Sequence, residues 1–271
     1  MRVWLAAAAL CVVGISQGLA EETGLKSLIT ANDSKGWEAV GRLDIGRTGF
    51  CTGALIAPDL VLTAAHCLFD PDTKERVADG EIEFLAGWRN GRATAYRDVR
   101  RSVVHPGFVY LGPQSGDHVA EDIALLSLSQ PIRNSSVTPF QISERPRKGD
   151  EVGVVSYARD RSSRPSLQEV CHVLSRPSGT LVMSCDVDFG SSGAPVFVMD
   201  GEEPRIVSVI SAKAKIGGRR VSLGTGLGES LLELRVLLEN EAPMTTTAAK
   251  VLPQVRRAGS GGQAGAKFLR P

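Results

Sequence analysis

The sequence is short of several things, and each shortage excludes a class of protein. After the first twenty residues, MRVWLAAAALCVVGISQGLA, no segment approaches the roughly 20 apolar residues that a membrane-spanning helix needs. That first segment carries Arg2, an apolar run and small residues ending at Ala20, the pattern of a leader (residues 1–20) removed after Ala20 on export. The expectation is a secreted or periplasmic protein with no stable membrane insertion. There is no excess of one charge, since 31 Lys and Arg face 30 Asp and Glu, so nothing calls for nucleic acid as a partner. There are no C-x-x-C pairs, so a structural metal centre is not expected, and no motif asks for a cofactor.

A helical pattern is also missing through most of the chain, which argues against a parallel α/β fold. Short β-rich runs stand in its place, at 54–56, 60–63, 82–86, 100–104, 123–128, 151–157, 168–174, 180–185, 195–199 and 206–211. Turn chemistry separates them, as at Pro58-Asp59, His105-Pro-Gly107 and Gly217-Gly218. With 29 glycines, 14 prolines and 42% apolar residues, this spacing predicts an all-β sandwich or barrel. Helical spacing appears only in 229-ESLLELRVLLENEA-242, where Leu231, Leu234 and Leu238 share a face. The segment 243–271 has five basic residues, no acid and little to bury, and is expected to be a disordered basic tail able to touch anionic surfaces electrostatically.

Removing Cys11 with the leader leaves Cys51, Cys67, Cys171 and Cys185. An even number in an exported chain predicts two disulfides, with three connectivities open and the local pairing Cys51–Cys67 and Cys171–Cys185 the simplest. The chemistry lies elsewhere. A serine hydroxyl is a poor nucleophile until an imidazole takes its proton, and that imidazole needs a carboxylate to orient it. His66 ends 61-VLTAAHC-67, Asp122 opens 122-DIALLSL-128, and Ser192 sits among small residues in 190-GSSGAP-195. Each is unremarked alone, and the three together in one exported β-rich chain suggest a catalytic set.

These motifs resemble the histidine, aspartate and serine motifs of the chymotrypsin/trypsin clan, in that clan's order, over about residues 28–240. The stretch 51-CTGALIAPDLVLTAAHC-67 is similar to the clan's disulfide-closed hairpin, and 103-VVHPGF-108 to its habitual His-Pro segment. The α/β-hydrolase pattern fails, because Ala194 breaks G-x-S-x-G and the histidine precedes the serine. The resemblance implies two six-stranded antiparallel β-barrels closed by a C-terminal helix. The protease domain would span 21–242, with barrels at about 28–135 and 140–228, a crossover near 130–148 and the helix at 229–242. It further implies Ser192 as nucleophile, His66 as general base and acid, Asp122 as orienting carboxylate, and the amides of Gly190 and Ser192 as oxyanion donors, acting on protein or peptide substrates.

Two departures bear on activation and specificity. Animal trypsins pair a new N-terminus with an acid just before the nucleophile. Here that position is Ser191, and 28-LITANDSKGWEAVGRLD-44 holds no matching start. The oxyanion turn is therefore expected to be held locally, with the Ser191 hydroxyl a candidate, and Gly-x-Ser-Gly-x-Pro without the acid resembles the bacterial branch related to glutamyl endopeptidases. Asp186, six residues before Ser192, either selects a basic substrate side chain or is a structural residue of its loop. Ser211 is the match for the pocket wall, and 206-IVSVISAKA-214 lacks the histidine that glutamate selection uses. The rival functions are a catalytically silent homologue that serves as a binding module, and an esterase on the same three residues.

Overall fold

The computed structural model describes residues 23–46, 49–112, 118–200 and 203–240. The leader at 1–20 and the basic tail at 243–271 lie outside the described residues.

Strand β1 (Lys26–Ser27) is followed by β2 (Val40–Ile45), β3 (Gly49–Ala57) and β4 (Leu60–Thr63). Then come β5 (Ile82–Ala86), β6 (Ala95–Val104) and β7 (Ala124–Leu128). Strands β2-β3-β4-β7-β6-β5 close into one barrel, every neighbouring pair antiparallel. The second half contains β8 (Gln141–Ile142), β9 (Glu151–Ser156), β10 (Ser166–Ser175) and β11 (Thr180–Met183). It continues with β12 (Pro195–Asp200), β13 (Glu203–Ile216) and β14 (Arg219–Gly226). The order β10-β11-β14-β13-β12-β9 closes through the β10–β9 ladder into a second antiparallel barrel. Short β1 adds to β10, and β8 pairs in parallel with β13. The expected architecture of two six-stranded barrels is the one observed.

Burial differs from strand to strand. In β6, AYRDVRRSVV buries Ala95, Val99, Ser102 and Val103 while the other residues are exposed or half-buried. Central strand β7, ALLSL, is buried at every position. The second barrel has its own interior of Val152, Val154, Val173, Leu181, Met183, Val196 and Ile210. The barrels meet across Trp37, Phe140 and Phe197, whose ring centroids lie 4.8–6.1 Å apart. Helix α1 (Gly228–Asn240) returns to pack Leu231 and Leu234 on β6 and β7 of the first barrel. No helix among the described residues is long and apolar enough to cross a membrane.

Candidate active site

The first barrel supplies a histidine and a carboxylate. After β4 the chain turns through a 3-10 segment, Ala65–Leu68, and Cys67 in that turn is bonded to Cys51 on β3 (S–S 2.01 Å). The disulfide thus ties the His66 turn to the neighbouring strand. Asp122 follows a second 3-10 turn, Val119–Glu121, and is only 3% exposed. Its Oδ2 lies 2.7 Å from His66 Nδ1, and its Oδ1 accepts the His66 backbone amide at 2.8 Å. Thr225 of β14 donates its hydroxyl to the carbonyls of Val119 and Asp122, at 2.6 and 3.0 Å, which pins this turn to the second barrel.

The pair shifts both partners. Burial disfavours the imidazolium, but the charge and hydrogen bond of Asp122 more than offset it, and the His66 pKa stands above its ordinary 6.5. Burial likewise pushes Asp122 up. The His66 charge and the bonds from His66 and Ser211 outweigh it and leave the carboxyl below its ordinary 3.8. An ionised Asp122 beside Nδ1 favours the tautomer with its proton there, leaving Nε2 with the lone pair.

The second barrel supplies the turn 188–192. Every carbonyl in it has a donor. The Asp188 carbonyl accepts from the Ser191 amide, that of Phe189 from the Arg159 amide and that of Gly190 from the Thr52 hydroxyl. The Ser191 carbonyl accepts from the Ala194 amide and that of Ser192 from the Thr52 amide. The amides of Gly190 and Ser192, by contrast, donate to no described residue. The Ser191 side chain is fully buried and its hydroxyl donates toward Tyr157 O (3.1 Å) and Ser156 Oγ (3.2 Å), anchoring the turn to the end of β9. The local hold expected of Ser191 is therefore present, as a hydroxyl where an acid would need a counter-charge.

Two glycines make the turn's approach feasible. Gly190 has φ +96°, and a Cβ there would meet the Phe50 ring at 2.5 Å. Gly193 has φ +74°, and a Cβ there would collide with Thr63 Oγ1, the Thr52 carbonyl and the Ala64 amide. The Ser192–Gly193 backbone thus lies against Thr63-Ala64, two residues before His66. The Ser192 hydroxyl itself forms no hydrogen bond with any described residue, His66 included.

Other expected residues fall as follows. The Ser211 hydroxyl donates to Asp122 Oδ2 at 2.5 Å, so its side chain engages the buried carboxylate. Asp186 is exposed. Its amide donates to Gln168 Oε1 (2.7 Å), and its carboxylate accepts no hydrogen bond from a described residue. Cys171 and Cys185 are bonded (S–S 1.99 Å), joining β10 to the start of the Asp186 loop. Of the three connectivities open at the sequence, the local one is realised. Next to the turn, Lys213 Nζ pairs with Asp188 Oδ1 at 2.5 Å and sits 4.1 Å from the exposed Phe189 ring. Cys51, Cys67 and His66 are the one close group of potential metal ligands among the described residues. The two sulfurs are bonded to each other, so the group offers no thiolate.

With this geometry in place, the likeness to known proteins is decisive. The trypsin-like peptidase domain matches residues 51–203, a little over half of the chain. The chain belongs to the trypsin-like peptidase family. Among its curated relatives, a glutamyl endopeptidase of Bacillus licheniformis is 27% identical over 150 residues, which cover 55% of this chain and 45% of that protein. Serine protease 23 of Mus musculus is 28% identical over 182 residues, covering 57% and 44%. This trypsin-like chain therefore spans under half the length of these curated relatives. A solved Glu endopeptidase, in complex with MPD, superposes with a TM-score of 0.66 at 19% identity, over 83% of this chain and 100% of the other. A thermostable serine protease, AL20, from an extremophilic microorganism gives 0.59 at 18%, over 76% and 98%. At such identities the superpositions carry the fold alone, and it is the fold of the trypsin-like peptidases.

Sequence reasoning did not reach Thr52, Thr225 or Gln168. Each is an unremarkable residue within a strand, and only its three-dimensional neighbours give it a task.

Proposed function

We propose that this trypsin-like chain is a secreted serine endopeptidase in which Ser192 is the nucleophile, His66 the general base and acid, and Asp122 the orienting carboxylate. The observation that carries this reading is the His66–Asp122 pair, with both carboxylate oxygens bonded to His66, set beside a turn whose carbonyls are all satisfied while two of its amides donate to no described residue. In the reaction, the Ser192 oxygen adds to the scissile carbonyl carbon as His66 Nε2 takes its proton. The imidazolium is stabilised by Asp122, and the new oxyanion is received by the Gly190 and Ser192 amides. Collapse breaks the C–N bond, with the His66 proton passing to the leaving amine. Water, deprotonated by the same imidazole, then hydrolyses the acyl-enzyme and restores Ser192.

A basic side chain before the scissile bond is the preference we assign, through Asp186. An exposed carboxylate with no hydrogen bond from the described residues, its backbone fixed by Gln168, supports that role. Two disulfides fit an exported protein. Removal of a leader at 1–20, a domain from 21 to 242 and an electrostatic role for the tail at 243–271 complete the reading. Against a silent homologue stands the free amide pair, for which a pure binding module has no need.

Stoichiometric uptake of a fluorophosphonate by the wild type, abolished in Ser192→Ala, is the expected result. Absence of uptake by folded, disulfide-formed protein would sink the catalytic reading. Turnover of esters with no cleavage in a peptide library would favour the esterase. In the same library, cleavage after Lys and Arg should be lost in Asp186→Ala, and its survival would remove Asp186 as selector.

A further inference from the structure

We infer that Thr52 is a positioning residue for the oxyanion turn, a role that rests on the catalytic reading of Ser192 above. Thr52 lies on β3 of the first barrel, fully buried, next to the disulfide at Cys51. It grips the second barrel's turn at two carbonyls on either side of the Ser192 amide. Its own amide donates to the Ser192 carbonyl at 2.9 Å, and its hydroxyl to the Gly190 carbonyl at 2.8 Å. The direction of the second bond is set by the rest of the hydroxyl's partners. The Tyr157 amide donates into the same oxygen at 3.1 Å, so the single hydroxyl proton is left for Gly190. The Thr52 carbonyl in turn accepts the Thr63 hydroxyl at 2.9 Å, so the gripping residue is itself held.

The need for such a grip follows from the residue it holds. Gly190 has no Cβ to restrict rotation of its flanking peptides, and φ +96° lies where glycine alone is comfortable. The Gly190–Ser191 peptide is fixed at both ends, its carbonyl by Thr52 and its amide by Asp188. Release of the carbonyl end leaves this peptide held only through its amide, and loosens the aim of the amides on either side. Oxyanion donors stabilise the transition state only when aimed beforehand at the developing charge. Loss of the Thr52 hydroxyl is therefore expected to spare substrate binding and slow the chemical step.

The test compares wild type, Thr52→Val and Thr52→Ser on one good peptide substrate and on the matching peptide aldehyde, whose hemiacetal oxygen sits where the oxyanion forms. Thr52→Val should lower kcat roughly ten-fold or more with KM unchanged, a share of the ~10²–10³ lost when an oxyanion donor is removed outright. Its aldehyde affinity should fall by the same factor as kcat/KM, and Thr52→Ser, which keeps the hydroxyl, should restore both. If Thr52→Val does not fold, as judged by its unfolding transition, Thr52→Ala is read in its place. Wild-type kcat in the variant, a rise in KM alone, undiminished aldehyde affinity, or a serine variant as slow as the valine one each overturn the role. A wild type inert to fluorophosphonate overturns the catalytic reading instead, so the two failures are told apart.

Discussion

At the scale of the residue, the mechanism proposed above makes His66 and Asp122 set the pH response. As the proposed general base His66 acts in its neutral form, and Asp122 raises its pKa above 6.5, so activity should rise with pH along a limb whose midpoint lies above 6.5. Asp122→Asn removes the charge that raises it. The variant's limb, read from kcat/KM against pH, should shift to lower pH, and its kcat should fall by about 10⁴, the scale known for this change in Ser-His-Asp triads. An unshifted limb would mean that Asp122 does not govern His66. These two residues and Ser192 were legible because they fall in short motifs with a fixed order. Thr52 and Thr225 were not, because a β-branched residue in a strand is ordinary and its hydroxyl's partner lies more than 100 positions away.

At the scale of the element, the Asp186–Ser192 loop owes its shape to its two ends. Cys171–Cys185 closes a loop of 14 residues at its start, and on the chain-entropy model the bond contributes about 3 kcal/mol. Replacing both cysteines by serine should lower stability by that amount in denaturant titrations, with Cys51–Cys67 intact. At the loop's far end, Gly193→Ala forces a Cβ onto the backbone of Thr52 and Ala64 at a positive φ. The change should cost at least ~2 kcal/mol and abolish labelling of Ser192 even in folded protein. Among the strands, 82–86 is legible to the residue, since a segment with four apolar residues of five between clear turns has only one placement. Strands β2 and β14 escaped notice. VGRLDI breaks its apolar residues with Gly41, Arg42 and Asp44, RRVSLGTG has only Val221 and Leu223, and it is ladder pairing on both sides that makes them strands.

At the scale of the whole molecule, the site exists only because two barrels meet. The first barrel brings His66, Asp122 and Thr52, and the second Ser192, Ser211 and Thr225, with hydrogen bonds crossing at Thr52–Gly190, Ser211–Asp122 and Thr225–Asp122. The apolar contact behind them is Trp37, Phe140 and Phe197, the last only 2% exposed. Phe197→Ala should destabilise by about 3–5 kcal/mol in equilibrium unfolding. A much smaller loss would indicate that the barrels hold together without this cluster.

What the sequence determined by itself is local: the motif residues, the even cysteines, most strands and the absence of an acid before Ser192. These properties depend on neighbours a few positions apart, and a periodicity or a short motif records them. The tertiary structure alone decided which cysteines pair, that Ser211 turns to the buried carboxylate, and that a threonine from the other barrel holds the turn 188–192. Those outcomes depend on which groups are brought within 3 Å by closing two barrels against each other, and no spacing along the chain encodes that distance.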